Sequence, residues 1–154
     1  MSRFDGKVAL ITGGRSGIGA ACASALAAEG AHVITAQRGE DPVHDWIAVD
    51  FIGPEAPATL VKDVIKRTGR LDILVNNAGL MREGTALEMS VQDWSDTIQV
   101  NLTAPFLLIK HALPHLIPAG GVIVNIGSIE GSGANPRHPA YCASKGGLHA
   151  LTRA

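Results

Sequence analysis

One tyrosine, two tryptophans, three phenylalanines and two cysteines are all that this 154-residue sequence holds of those types. Cys22 and Cys142 make neither a disulfide framework nor the close pairs of a zinc site, so they read as reduced thiols of a cytoplasmic protein. Charge is sparse too. Charged residues make up 18% of the chain, the formal net charge is −1, and both signs are dispersed. No basic stripe for nucleic acid and no acidic tail is present. Long hydrophobic runs are missing, and a membrane span needs about 20 apolar residues. The opening MSRFDGK puts Arg3, Asp5 and Lys7 where a secretory signal requires an apolar stretch. The expectation is a cytoplasmic protein that partners neither membrane nor nucleic acid.

What the chain does have is 46% hydrophobic residues and 18 glycines, sufficient for the core of one domain over residues 1–154. Short β-branched runs alternate with alanine-rich stretches. Strands are expected over Lys7–Thr12, His32–Ala36, Trp46–Val49, Leu71–Asn76 and Val122–Asn125. Helices are expected from Gly17 to Glu29, stopped by Gly30, and from Pro57 to Thr68, stopped by Gly69. Ser90, with Asp93 three residues on, starts a long helix with a capping box. A last helix begins around Tyr141. Strands alternating with helices imply an α/β fold, a doubly wound parallel sheet of Rossmann type. Between the second and third strands lies only QRGEDPVHD, shorter than a normal parallel crossover, and an irregular loop is expected there.

Four signals bear on function. After the first strand comes TGGRSGIG, where Gly13, Gly17 and Gly19 suit either a tight strand–helix turn or a turn that brings backbone and a helix N-terminus to a dinucleotide pyrophosphate. After the fourth comes NNAG: a plain turn, or Asn76 and Asn77 tying strand ends together and leaving room for a flat ligand at Ala78 and Gly79. After the fifth comes Ser128, at the sheet edge where ligands of open α/β folds bind, though loop serines commonly bond their own backbone. Thirteen residues later stands Tyr141, with Lys145 one helical turn beyond it on the same face. Within the long helix, Pro105 lacks the N–H that would bond the Asn101 carbonyl, so a free carbonyl and a kink are expected there. His111 and His115 share a helix face without the glutamate of a zinc-protease motif, and no metal site is expected.

In this order and spacing the motifs resemble those of the short-chain dehydrogenase/reductase family along essentially the whole chain. The family's T-G-x-x-x-G-x-G turn falls on Thr12, Gly13, Gly17 and Gly19, and its catalytic tetrad on Asn101, Ser128, Tyr141 and Lys145. The resemblance implies an oxidoreductase moving a hydride between a nicotinamide dinucleotide and a carbonyl or secondary alcohol, a small-molecule substrate; a dinucleotide-binding module or an inactive fragment without turnover is the alternative. It implies cofactor contacts from Gly13, Arg15, Ser16, Gly17, Ile18 and Gly19, from Gln37 and Arg38, from Asp50 and Phe51, from Asn77, Ala78 and Gly79, and from Tyr141 and Lys145. Asp50 would accept from the adenine amino group, and the Asn101 carbonyl would hold a water in a relay to Lys145. Gln37 stands where NAD-preferring members carry an acid, and Arg38 follows, a partner for a 2′-phosphate. NADP(H) is therefore favoured, with NAD(H) the alternative, since Glu40 and Asp41 lie nearby.

Tyr141 fits the acid–base role on energetic grounds. A free phenol ionises near pH ~10, and a shift of about three units amounts to ~4 kcal/mol. One positive charge about 4 Å away at an effective dielectric near ~20 supplies that much, so Lys145 would make the tyrosine usable near neutrality. Glu130 and His138 would line a substrate pocket or serve as ordinary loop residues. Family members form homo-oligomers, dimers or tetramers, and continue well beyond the helix of Tyr141. The resemblance thus implies a chain truncated within that helix, with the C-terminal strands absent and the fifth strand, rich in valine and isoleucine and expected to be buried on both faces, left as a bare edge.

Overall fold

A computed structural model describes residues 2–154. Five parallel strands form one sheet: β1 (Val8–Thr12), β2 (His32–Gln37), β3 (Asp45–Ala48), β4 (Ile73–Asn76) and β5 (Val122–Asn125), in the spatial order β3-β2-β1-β4-β5. The register sets Leu10 beside Ile34 on one side and Leu74 on the other. Five α-helices accompany them: α1 (Gly17–Ala28), α2 (Ala56–Thr68), α3 (Val91–Ile98), α4 (Ala104–Ala119) and α5 (Pro139–Arg153). This is the doubly wound Rossmann-type architecture expected from the alternation of patterns. No helix among the described residues is long and apolar enough to cross a membrane.

The central strands are apolar on both faces, so both must be covered. Leu10, Ile34, Ala36 and Leu74 pack under Leu60 and Val64 of α2 and Leu108 and Leu116 of α4. On the opposite face Ala9, Ile11, Val33, Ile73 and Val75 meet Ala23 of α1. Ser90 caps α3 by accepting from the Asp93 N–H at 3.0 Å, and its hydroxyl also donates to the Asp93 carboxylate at 2.7 Å. The expected cap is there, closed side chain to side chain.

Three features depart from the sequence pattern or extend it. Residues 38–44 join β2 to β3 without a helix. Asp41 organises this loop: its buried carboxylate accepts from Thr35 Oγ1 at 2.8 Å and from the N–H groups of Val43 and His44 at 2.8 and 3.2 Å. The loop thereby closes over Thr35 on the sheet face that a crossover helix would cover. Burial raises the Asp41 carboxyl, yet these hydrogen bonds outweigh it and hold the group below its ordinary value.

The long helix is not one α-helix. A π turn, Gln99–Thr103, separates α3 from α4, and the Ala104 N–H bonds the Gln99 carbonyl five residues back. The interruption expected near Pro105 thus takes the form of a wide turn just before the proline. Finally, β5 is not buried on both faces. Ile123 packs against the core beneath α4, whereas Val122 and Val124 are 53% and 44% exposed. β5 is the outermost strand, and no element of the described chain covers that side of it.

Candidate functional site

The carboxyl ends of β1 and β4 are stitched together by side chains. Thr12 Oγ1 accepts from the N–H groups of Asn77 and Ala78, each at 3.0 Å, and Asn77 Nδ2 donates to the carbonyls of Thr12 and Gly13 at 2.9 and 3.0 Å. One strand further, Asn76 Nδ2 donates to Asn125 Oδ1 at 2.8 Å. NNAG therefore ties strand ends through side chains, and the glycine turn is braced from behind. Gly13 turns with φ +65°, a conformation that side chains strain to adopt. A Cβ on Gly19 would run into the Gly13 carbonyl and the Asn77 amide, so α1 starts directly against the turn. Its N-cap, Ser16, makes no side-chain cap, and the first N–H groups of the helix stay without intrahelical partners.

These elements surround a cleft of about 580 Å³ at the carboxyl end of the sheet. Its wall contains Gly13, Ser16 and Ile18 from the glycine turn, Gln37 and Arg38 from the end of β2, Asp50 and Phe51 from beyond β3, Asn77, Ala78 and Gly79 from beyond β4, and Tyr141 and Lys145 from α5. Five of the expected tetrad and cofactor-contact residues are not on the wall, nor are Glu130 and His138. Gly17 and Gly19 lie in the first turn of α1. The Arg15 guanidinium lies against Gly39, the neighbour of Arg38. Asn101 is buried behind the cleft and Ser128 stands in the loop after β5. The wall also holds Leu80, Met81, Arg82 and Val100, which no motif had marked. The first three simply follow NNAG, and that adjacency was the available signal.

Lys145 is 4% exposed; its Nζ donates to the Ile126 carbonyl at 2.7 Å and stands 5.7 Å from the centre of the Tyr141 ring. Burial pushes its pKa below the ordinary lysine value. Asn101 links three segments. Its Oδ1 accepts from the Leu80 N–H at 2.7 Å, and its Nδ2 donates to the Leu80 carbonyl at 2.8 Å and to Ser144 Oγ at 3.1 Å. Ser144 in turn donates to the Tyr141 carbonyl at 2.8 Å. The Asn101 side chain thus joins the π turn, the loop after β4 and the helix of Tyr141. Ser128 caps a 3-10 turn, Ile129–Gly131, accepting from the Glu130 N–H at 3.2 Å. It does bond its own backbone, and it does so with a lone pair, which leaves its O–H available to donate.

Residues 7–154 match the family model described as short chain dehydrogenase. The chain is 41% identical to D-threitol dehydrogenase of Mycolicibacterium smegmatis, with 98% of this chain and 64% of that protein covered. It is 37% identical to meso-2,3-butanediol dehydrogenase of Serratia marcescens, covering 99% and 65% respectively. The ligand-free structure of Thermoplasma acidophilum aldohexose dehydrogenase superposes with a TM-score of 0.93 at 32% identity, over 99% of this chain and 61% of that one. The chain thus spans just under two thirds of the length of these relatives.

Proposed function

Since this chain belongs to the short chain dehydrogenase family, we propose that the protein is an oxidoreductase that transfers a hydride between a nicotinamide dinucleotide and a carbonyl or secondary alcohol, with Tyr141 as its acid–base catalyst. The observation that carries the reading is the sharing of one cleft wall by the braced glycine turn and the Tyr141–Lys145 pair. A binding site alone needs no ionisable phenol beside a buried lysine.

The cleft suits a dinucleotide on features of its own. The uncapped start of α1 offers N–H groups and a positive dipole end to a pyrophosphate. The close approach of Gly19 to Gly13 brings backbone to the ligand without an intervening side chain. Gln37 Oε1 is buried with no partner among the described residues, an acceptor that a ribose hydroxyl would satisfy. NADP(H) is the favoured form. Arg38 lies on the wall with Arg15 beside its loop, and neither makes a salt bridge among the described residues. Of the two nearby acids, Asp41 is turned into its own loop and bonded to Thr35, and Glu40 is exposed.

When bound, the nicotinamide donates or accepts the hydride at the substrate carbon. The chain's residues supply orientation and the proton. In carbonyl reduction the Tyr141 hydroxyl gives its proton to the forming alkoxide; in alcohol oxidation the phenolate removes it. A positive Lys145 favours the phenolate, and the Ile126 carbonyl keeps its ammonium group in place beside the ring. Ser128 donates to the substrate oxygen as charge develops on it. Asn101 acts through position, holding Leu80 and α5 in register; a water relay through its carbonyl to Lys145 belongs to the same reading.

By their names, the two relatives above oxidise polyols with neighbouring hydroxyls, so small polyols and their ketones are the first substrates to test. A homo-oligomer fits as well, since Phe106, Leu113 and Ile117 stand exposed along α4. The test is to mix the full-length protein with NADPH or NADH and a panel of ketones, or with the oxidised cofactors and polyols, and follow reduced nicotinamide by absorbance. Turnover that disappears in Tyr141→Phe supports the proposal; no turnover with any member of a broad panel, despite dinucleotide binding, sinks it.

A further inference from the structure

We infer that Glu130 is a positioning residue: it couples the loop of Ser128 to the helix of Tyr141 and so sets the spacing between the group that holds the substrate oxygen and the group that exchanges its proton. The inference rests on the oxidoreductase reading above.

Ser128 and Tyr141 come from different segments, and residues 132–138 between them form no helix or strand. Catalysis needs the two hydroxyls on one substrate oxygen, and a displacement of about 1 Å can cost a hundred-fold in rate. Some contact must therefore fix the loop against the helix. Glu130 is bonded to both sides. Its N–H donates to Ser128 Oγ at 3.2 Å. Its carboxylate accepts from His138 Nδ1 at 3.1 and 3.2 Å and from Asn135 Nδ2 at 3.2 Å, and Cys142 Sγ, adjacent to Tyr141, approaches it at 3.7 Å.

The place where it grips matters. His138 is the N-cap of α5, and its carbonyl accepts the Cys142 N–H at 2.9 Å, in the first turn of the helix. Glu130 thus holds the residue from which the Tyr141 turn hangs. The next residue presses on the same helix: a Cβ on Gly131 would lie 2.8 Å from the Lys145 carbonyl oxygen, so the 3-10 turn rests on α5 backbone at the lysine of the pair. Glu130 is held below its ordinary pKa, first by the Asn135 hydrogen bond and then by His138, so it grips as a carboxylate, the stronger acceptor. His138 and Cys142 are the titratable side chains in contact with it. Glu130 and His138 are absent from the cleft wall, which separates this role from direct contact with a ligand.

The experiment uses the full-length protein and its Glu130→Ala and Glu130→Gln variants, with kcat expressed per site titrated by NADPH. The alanine variant is expected to lose about ten- to a hundred-fold in kcat, while the dissociation constant of the dinucleotide stays within about threefold, since the interaction acts on the reacting geometry and not on cofactor binding. Glutamine keeps an acceptor oxygen for His138 and is expected to recover most of the rate. A role in folding alone would lower the number of titrated sites and leave kcat per site unchanged, so parent-like kcat per site in the alanine variant overturns the inference. No recovery by glutamine overturns it too. A parent protein without turnover overturns the oxidoreductase reading and this inference with it; turnover in the parent and in Glu130→Ala alike overturns the positioning role alone.

Discussion

Replacing Asp72 by asparagine removes a charge on which the amino-terminal ends of β1 and β4 converge. Its carboxylate accepts from Lys7 Nζ at 3.0 Å, the Val8 N–H at 3.0 Å, Arg70 Nε at 2.8 Å and Arg70 Nη2 at 2.7 Å, and its side chain is 3% exposed. Burial by itself raises the pKa, but the hydrogen bonds from Arg70, Val8 and Lys7 outweigh it and lower the group from 3.8 to about 2. A folded-state value below the unfolded one stabilises the fold above the unfolded pKa, and that stability is lost as the pH falls through the folded value. The shift, 3.8 minus about 2, corresponds to about 2.4 kcal/mol at neutral pH, falling to ~1.3 kcal/mol at pH ~3 and ~0.4 kcal/mol at pH ~2. Asparagine still offers an oxygen to the buried Val8 N–H, while Lys7 and Arg70 are partly exposed and can turn to water. The expected loss in Asp72→Asn is therefore close to the linkage value, about 2–3 kcal/mol at neutral pH. Urea unfolding of both proteins, followed through tryptophan fluorescence and circular dichroism from neutral pH to pH ~3, gives the difference directly. A difference that stays constant with pH, or one below about 0.5 kcal/mol at neutrality, a size ordinary for surface changes, would refute the claim that the charge is the stabilising element.

Tyr141→Phe should reduce turnover by at least about 10²-fold, the usual scale of acid–base catalysis, with dinucleotide binding by fluorescence titration largely intact; retention of a tenth of the rate contradicts its role. Arg38→Ala should weaken NADPH roughly ten- to a hundred-fold through the loss of a charge-assisted contact and leave NADH little changed, and equal losses for the two cofactors would show that no 2′-phosphate is held there. Gly19→Ala forces a Cβ into the Gly13 carbonyl and the Asn77 amide; calorimetry should show both dinucleotides weakened together, and unchanged binding would mean that the turn is not the pyrophosphate cradle.

Much of the fold could be read from local pattern. The ends of β5 match its apolar run residue for residue, and the other strands and helices shift by one or two positions at their termini, where fraying makes boundaries soft. The short link between β2 and β3 also stood out, because nine or so residues cannot hold a crossover helix. What closes that link was not legible: whether Asp41 faces a ligand or Thr35 depends on which way a loop carboxylate turns, and no periodicity encodes that. The same limit hid Leu80, Met81 and Arg82, whose places on the cleft wall depend on the hold of Asn101 on the Leu80 backbone. The exposure of Val122 and Val124 is not encoded locally, because a β-branched run looks alike whether one face or both are covered. The pairing of Glu130 with His138 joins residues on either side of an irregular stretch, a contact that only tertiary placement reveals.

The π turn at Gln99–Thr103 has a consequence for how this helix tolerates length changes. A wide turn absorbs one surplus residue without rotating the helix beyond it. Leu108, Ala112 and Leu116 keep their inward phase on α4 even though the turn before them is not α-helical. The surplus residue is thus separable from the packing of the helix. Asn101, which anchors Leu80 and Ser144, lies on this turn, and Pro105 just beyond it withholds the N–H that an unbroken α-helix would need. The wide turn thus carries the buried Asn101 amide while α4 packs beneath it with ordinary helical spacing.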